Sequence, residues 1–206
     1  MERTNLIGMS HLYEERLQEG SLPSSLDSLR NSINWPINPD TQNLHIAAYF
    51  GEADYGTRNP SDIHKGIDLQ VSPGTPVLCP ERAEVIYIDT VDTRNVHTIY
   101  LWGEKSKVAY IICHLKPYSW PREFHKRSSI YPEGSVIAEE GDLLGSVGTW
   151  PVKLKKNLWI PEDAELVYGR NYDHLHFEVS YQPKGFSSED KFWLKAFNPL
   201  LLLKRL

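Results

Sequence analysis

Residues 171–181 read NYDHLHFEVSY, and the alternation within them points both to the fold class and to the place where chemistry is concentrated. Successive side chains of an extended chain point to opposite faces, so Leu175, Phe177 and Val179 share one face while His174, His176 and Glu178 share the other. The first face is apolar and suits a core. The second brings two imidazoles onto one small patch, an odd choice for a surface and a poor one for an interior.

The same texture recurs through much of the chain. GIDLQV (66–71), AEVIYIDTV (83–91), HTIYLW (97–102), KVAYIICHL (107–115) and DLLGSVG (142–148) are β-branched and aromatic runs separated by Gly, Pro and Asp. They predict a mainly β domain of antiparallel strands over residues 44–206. Residues 1–43 differ, with Leu12, Leu17, Leu22, Leu26, Leu29 and Ile33 at helical spacing, a break at Pro23 and stops at Pro36 and Pro39. This predicts a short N-terminal helical extension, for which a lid or a propeptide is the expected role. Two longer stretches, 116–134 (KPYSWPREFHKRSSIYPEG) and 149–171 (TWPVKLKKNLWIPEDAELVYGRN), mix aromatics with charge. Loops of that length in a compact domain are often functional, and these are expected to wall a groove. Trp120, Trp150 and Trp159 within them suit a groove and a core about equally.

Composition narrows the function. A chain of 206 residues that is 40% hydrophobic and 24% charged can bury a core as one globular domain, which excludes intrinsic disorder. With 22 Lys and Arg against 27 Asp and Glu, the net charge of -5 gives no basic field for nucleic acid. Cys79 and Cys113 are too few for a disulfide framework or a thiolate zinc knuckle and are expected to be free, buried thiols. Glu14, Glu15 and Arg16 stand where a signal peptide needs an apolar core, and no run approaches the ~20 apolar residues of a membrane span. The expectation is a cytoplasmic chain as written, or an extracytoplasmic one if it is already mature or exported by another route.

Candidate chemistry lies on the strands. In SDIHKGIDLQV (61–71), Ile67, Leu69 and Val71 face a core, which places Asp68 and Gln70 on the opposite, polar face and predicts that Asp68 is displayed rather than buried. His64 precedes it across Gly66, whose missing Cβ allows a turn that brings the imidazole over the carboxylate. In KVAYIICHL the alternation puts Tyr110, Ile112 and His114 on one face and Ile111, Cys113 and Leu115 on the other. Together with His174 and His176 these residues supply four imidazoles and one carboxylate, a set suited to a borderline-soft divalent metal. Zinc with three protein ligands and an open position is the economical interpretation. His11, His45, His97 and His125 have no partner at ligand spacing and are assigned surface or structural roles.

The ordered series HKGIDL (64–69), PGTPVLCPERAEV (73–85), ICHL (112–115), EEGDLLGSVG (139–148), HLHFEV (174–179) and FNPLLLL (197–203) resembles the motifs of the lysostaphin/LytM-type zinc metalloendopeptidases. The resemblance covers roughly residues 44–203 and implies an antiparallel, barrel-like sandwich of the duplicated hybrid motif type. It implies one Zn2+ per chain held by His64, Asp68 and His176, with His114 and His174 as a catalytic pair that does not hold the metal. Its implied reaction is hydrolysis of peptide bonds in peptidoglycan cross-bridges or stem peptides. The chain departs from the pattern where residues 149–173 replace a brief Gly/Ser-rich link, and where Ile112 stands at a place that often carries Tyr. Two other classes use a similar fold. One is a noncatalytic regulator of a wall hydrolase, which generally lacks zinc ligands. The other is a histidine phosphocarrier like the glucose-specific carrier of the sugar phosphotransferase system, which has no need of Asp68.

Overall fold

In the computed structural model the described residues are 22, 24–41, 44–52, 63–89, 97–124, 136–149, 173–181 and 196–205. Each β-rich run forms a strand: β1 (His45–Ala48), β2 (Gly66–Gln70), β3 (Pro76–Leu78), β4 (Ala83–Asp89), β5 (His97–Gly103), β6 (Ala109–Leu115), β7 (Ile137–Ala138), β8 (Leu143–Ser146), β9 (His174–Ser180) and β10 (Ala196–Phe197). Among the described residues the main sheet has eight strands, ordered β1-β2-β9-β6-β5-β4-β7 with β10 also on β9, and β3 and β8 form a separate pair. Every strand pairing is antiparallel. The architecture is thus mainly β and antiparallel, as the alternation predicts, and consistent with the sandwich that the resemblance implies.

One face of the main sheet makes the core. Leu175, Phe177 and Val179 of β9 lie there with Ile67 and Leu69 of β2, Tyr110 and Ile112 of β6 and Ile99 and Leu101 of β5. Val77 of β3 and Leu144 of β8 belong to the same cluster, so the small sheet packs onto the large one. Cys79 is also buried there, and burial pushes its thiol up to about 12, which makes it inert as a nucleophile.

Residues 1–21 of the expected helical extension lie outside the described residues. The described part holds a 3-10 turn, Ser24–Leu29, in place of the α-helix that the leucine spacing predicts. The chain leaves that turn at Asn31, whose φ of 56° is incompatible with a continued helix. It then runs extended beside the C-terminus: Ile33 bridges Leu203, its N–H donates to Leu202 O at 3.0 Å, and Trp35 Nε1 donates to Lys204 O at 2.8 Å. Leu22, Leu26, Ile33, Trp35 and Ile37 are buried in the same core as the strands. Of the long stretches, residues 125–135 and 150–172, with His125, Trp150 and Trp159, lie outside the described residues, as does His11. Trp120 is a core residue at 4% exposure. Among the described residues no helix is long and apolar enough to cross a membrane.

Candidate metal centre and its flanking histidines

The face of the main sheet opposite the core carries the candidate site, and strand register assembles it. Asp68 stands directly opposite His176 across β2 and β9, and His176 in turn stands opposite Cys113 of β6. Asp68 is therefore not displayed, contrary to the alternation-based expectation: it is 5% exposed. The reason is tertiary. The turn after β1 folds over this face, with His64 N–H donating to Glu52 O at 2.7 Å and Gly51 N–H donating to His64 O at 2.8 Å. This turn carries the His64 ring onto the carboxylate.

The His64 tautomer follows from a single contact. Its Nδ1 lies 3.0 Å from the backbone oxygen of Tyr49. A carbonyl oxygen can only accept, so Nδ1 carries the proton and Nε2 presents a lone pair inward. That Nε2 is 3.0 Å from Asp68 Oδ1 and 3.0 Å from His176 Nδ1, and His176 Nδ1 is 2.9 Å from Asp68 Oδ1. The three atoms form a nearly equilateral triangle. Donors around a tetrahedral zinc at bond lengths of about 2.0–2.1 Å are roughly 3.3 Å apart, so the triangle needs to open only slightly to take the ion. Two imidazoles and one carboxylate are also a donor set that zinc accepts. His64, Asp68 and His176 therefore fit a divalent ion in both geometry and chemistry.

Electrostatics agree with that fit. Burial disfavours the charge on Asp68, but the neighbouring His64 and His174 rings and the hydrogen bond from His176 outweigh it and hold the carboxyl well below the usual carboxylate range. Burial also works against a charge on His176, yet its bond to Asp68 and the nearby Glu178 carboxylate outweigh this and raise its pKa well above the ordinary imidazole value.

His114 reaches the site by a departure from regular alternation. Its expected face, shared with Tyr110 and Ile112, is the fully buried core. The structure corrects this placement. Between the pairs Ile99↔Ile112 and His97↔Leu115, β6 has two residues, Cys113 and His114, against the single Thr98 of β5. This is a β-bulge, and His114 takes it up with φ 68°. Leu115 consequently returns to the core, and His114 swings to the site, with its ring 4.5 Å from that of His174 and 6.2 Å from that of His176. His174 Nε2 lies 3.7 Å from Asp68 Oδ2, the oxygen that faces away from the triangle.

The five residues singled out by the sequence are thus together, while the other described histidines serve elsewhere. His97 is buried against Trp120 and Tyr118, and His45 is half-buried on β1. Both cysteines are free, but Cys113 is half-buried rather than buried, because the site face is more open than the core. One contributor carries no assignment from sequence. Glu178 is buried with Oε2 3.7 Å from His176 Nε2, and only the HxHxE alternation hints at it. Gly66, to which the sequence assigns a turn, instead lies in β2 without a positive φ, and what it permits is close approach. A Cβ there would lie 2.4 Å from Phe177 O and 3.0 Å from His176 Cε1. Gly66→Ala is expected to destabilise the fold by about 2–3 kcal/mol in urea denaturation, since the clashing oxygen is backbone and β2 must move.

No protein-family profile and no curated protein matches the chain. Among solved structures it is similar to the catalytic domain of the antimicrobial peptidase lysostaphin from Staphylococcus simulans, at 16% identity and TM-score 0.49 over 77% of this chain and 90% of that one. Against lysostaphin in solution the likeness spans 49% of that chain, at TM-score 0.48. LytU is similar at 18% identity and TM-score 0.47, over 78% of this chain and 84% of that one. The lysostaphin-type peptidases that the motif order resembles are thus among the structures to which the chain is similar.

Proposed function

We propose that the chain is a zinc-dependent endopeptidase acting on peptide bonds of peptidoglycan cross-bridges or stem peptides. The observation that carries this is the triangle of His64 Nε2, Asp68 Oδ1 and His176 Nδ1 at 2.9–3.0 Å, with the His114 and His174 rings packed beside it. A zinc ion held there supplies Lewis-acid polarisation of a scissile carbonyl and lowers the pKa of a water from ~15.7 toward about 7. His114 and His174 provide the proton traffic: one imidazole to accept from the attacking water and one to donate to the leaving amine. Asp68 Oδ2, 3.7 Å from His174 Nε2, favours the imidazolium that such an acceptance creates. The peptide and peptidoglycan part of the proposal is supported by the ordered motifs. A phosphocarrier leaves the burial of Asp68 among three imidazoles without a purpose, and a noncatalytic regulator does not need the full donor set.

The test is to incubate the chain with purified peptidoglycan and with synthetic stem and bridge peptides, and to look for new amino termini by mass spectrometry. Cleavage that a chelator stops and zinc restores is the expected result. Intact substrates throughout would reject the proposal.

Zinc binding should also be linked to protons. The contacts that raise the pKa of His176 favour a proton on that ring, and a bound ion competes with it. The affinity should therefore rise with pH until the raised pKa of His176 is passed, with about one proton released per ion below it. Calorimetry at pH 7 in buffers of different ionisation heat measures that number, and a value near zero would contradict it.

A further inference from the structure

The buried carboxylate of Glu178 has no part in the triangle, yet a stability role does not explain it. It lies on β9 on the same face as His176, 7% exposed, and its neighbours across the sheet are Gly66 on β2 and Ile111 on β6. Among the described residues its ion pair is with His176, and no Lys or Arg meets it. Its Oε1 is buried without a hydrogen-bond partner among the described residues. A carboxylate in such surroundings costs stability, and an apolar side chain would fill the place better. Its Oε2, however, points at one particular atom, the Nε2 of His176.

His176 uses its two nitrogens differently. Nδ1 is aimed into the triangle, at 2.9 Å from Asp68 Oδ1 and 3.0 Å from His64 Nε2, which leaves Nε2 as the outer nitrogen. An imidazole that holds a metal through one nitrogen is oriented by what its other N–H meets, and a carboxylate is a common partner. His64 already has such an anchor in Tyr49 O. We infer that Glu178 is the positioning residue of His176: its carboxylate accepts from Nε2–H and so fixes the ring with Nδ1 toward the ion. The 3.7 Å separation is about 0.8 Å longer than an ordinary N–H···O bond, a gap that a modest side-chain rotation closes. Gly66 leaves the space for this arrangement, since a Cβ opposite Glu178 would press on the His176 ring.

The inference rests on reading the triangle as a metal site, and the two can fail separately. The experiment is competition for Zn2+ against a chromophoric chelator, with the metal-free wild-type chain, Glu178→Leu and Glu178→Gln. The leucine variant keeps the volume without an acceptor and is expected to bind zinc 10- to 100-fold more weakly, the usual effect of losing such an outer partner. Glutamine retains an acceptor oxygen and should recover most of that loss, a rescue that a merely space-filling role would not produce. Wild-type affinity in the leucine variant, or a glutamine variant as weak as leucine, overturns the inference while leaving the metal site intact. A wild-type chain that binds no zinc overturns both. Should the leucine variant not fold, nitrogen-15 spectra of the wild-type chain loaded with cadmium-113 decide: coupling to Nδ1 of His176 with a proton on Nε2 is expected, and coupling to Nε2 overturns it.

Discussion

His176→Ala is expected to lose bound zinc and hydrolysis together. The substitution removes one corner of the triangle and leaves His64 and Asp68, two donors that cannot enclose the ion. The loss of affinity should exceed the 10- to 100-fold that follows from removing an outer partner alone, and the rate should fall to background. Metal analysis after gel filtration, paired with peptide hydrolysis on the same fractions, measures both. Asp68→Ala should behave the same way, because Oδ1 is 2.9–3.0 Å from both ring nitrogens. A His176→Ala protein that keeps its zinc and loses only its rate would make His176 a proton-transfer group and reverse its role with that of His174.

The second large effect separates the flanking pair from the ligands. His174→Ala should retain about one zinc per chain and lose about 10²- to 10⁴-fold in kcat, the range for a positioned proton-transfer group. His114 calls for a different substitution. Its φ of 68° is a left-handed conformation that asparagine tolerates and alanine does not, so His114→Asn removes the imidazole while sparing the bulge. It should show the same retained zinc and a loss of similar size. Because both rings serve one transition state, the double variant should lose less than the product of the single losses. Wild-type rates in either single variant would remove that residue from the catalytic pair.

What was legible in the sequence and what was not divide along physical lines. The strands β2, β4, β5, β6, β8 and β9 can be read because period-2 alternation is a local property, and the HLH alternation placed His174 and His176 on one face correctly. The burial of Asp68 could not be read that way, because the His64 ring lies against it, held there by contacts with the turn at Tyr49–Glu52. The swing of His114 out of the core face depends on β6 having one more residue than β5 between two pairs, which only the pairing of strands reveals. The leucine spacing before Pro36 predicts a helix, whereas the described part forms a 3-10 turn whose Leu26, with Leu22, lies in the same buried cluster as Leu200–Leu203, a long-range association that local spacing does not carry. Glu178 was visible only as a polar residue on the right face; its proximity to His176 Nε2 is a matter of side-chain geometry.

The central claim is that these residues hold a catalytic zinc. The most direct test is emission spectrometry on wild-type chain purified without added metal, with each fraction also assayed for peptide hydrolysis. One zinc per chain is predicted, with activity proportional to zinc content across partially stripped fractions. A clean metal-free chain that still hydrolyses peptides would contradict the account.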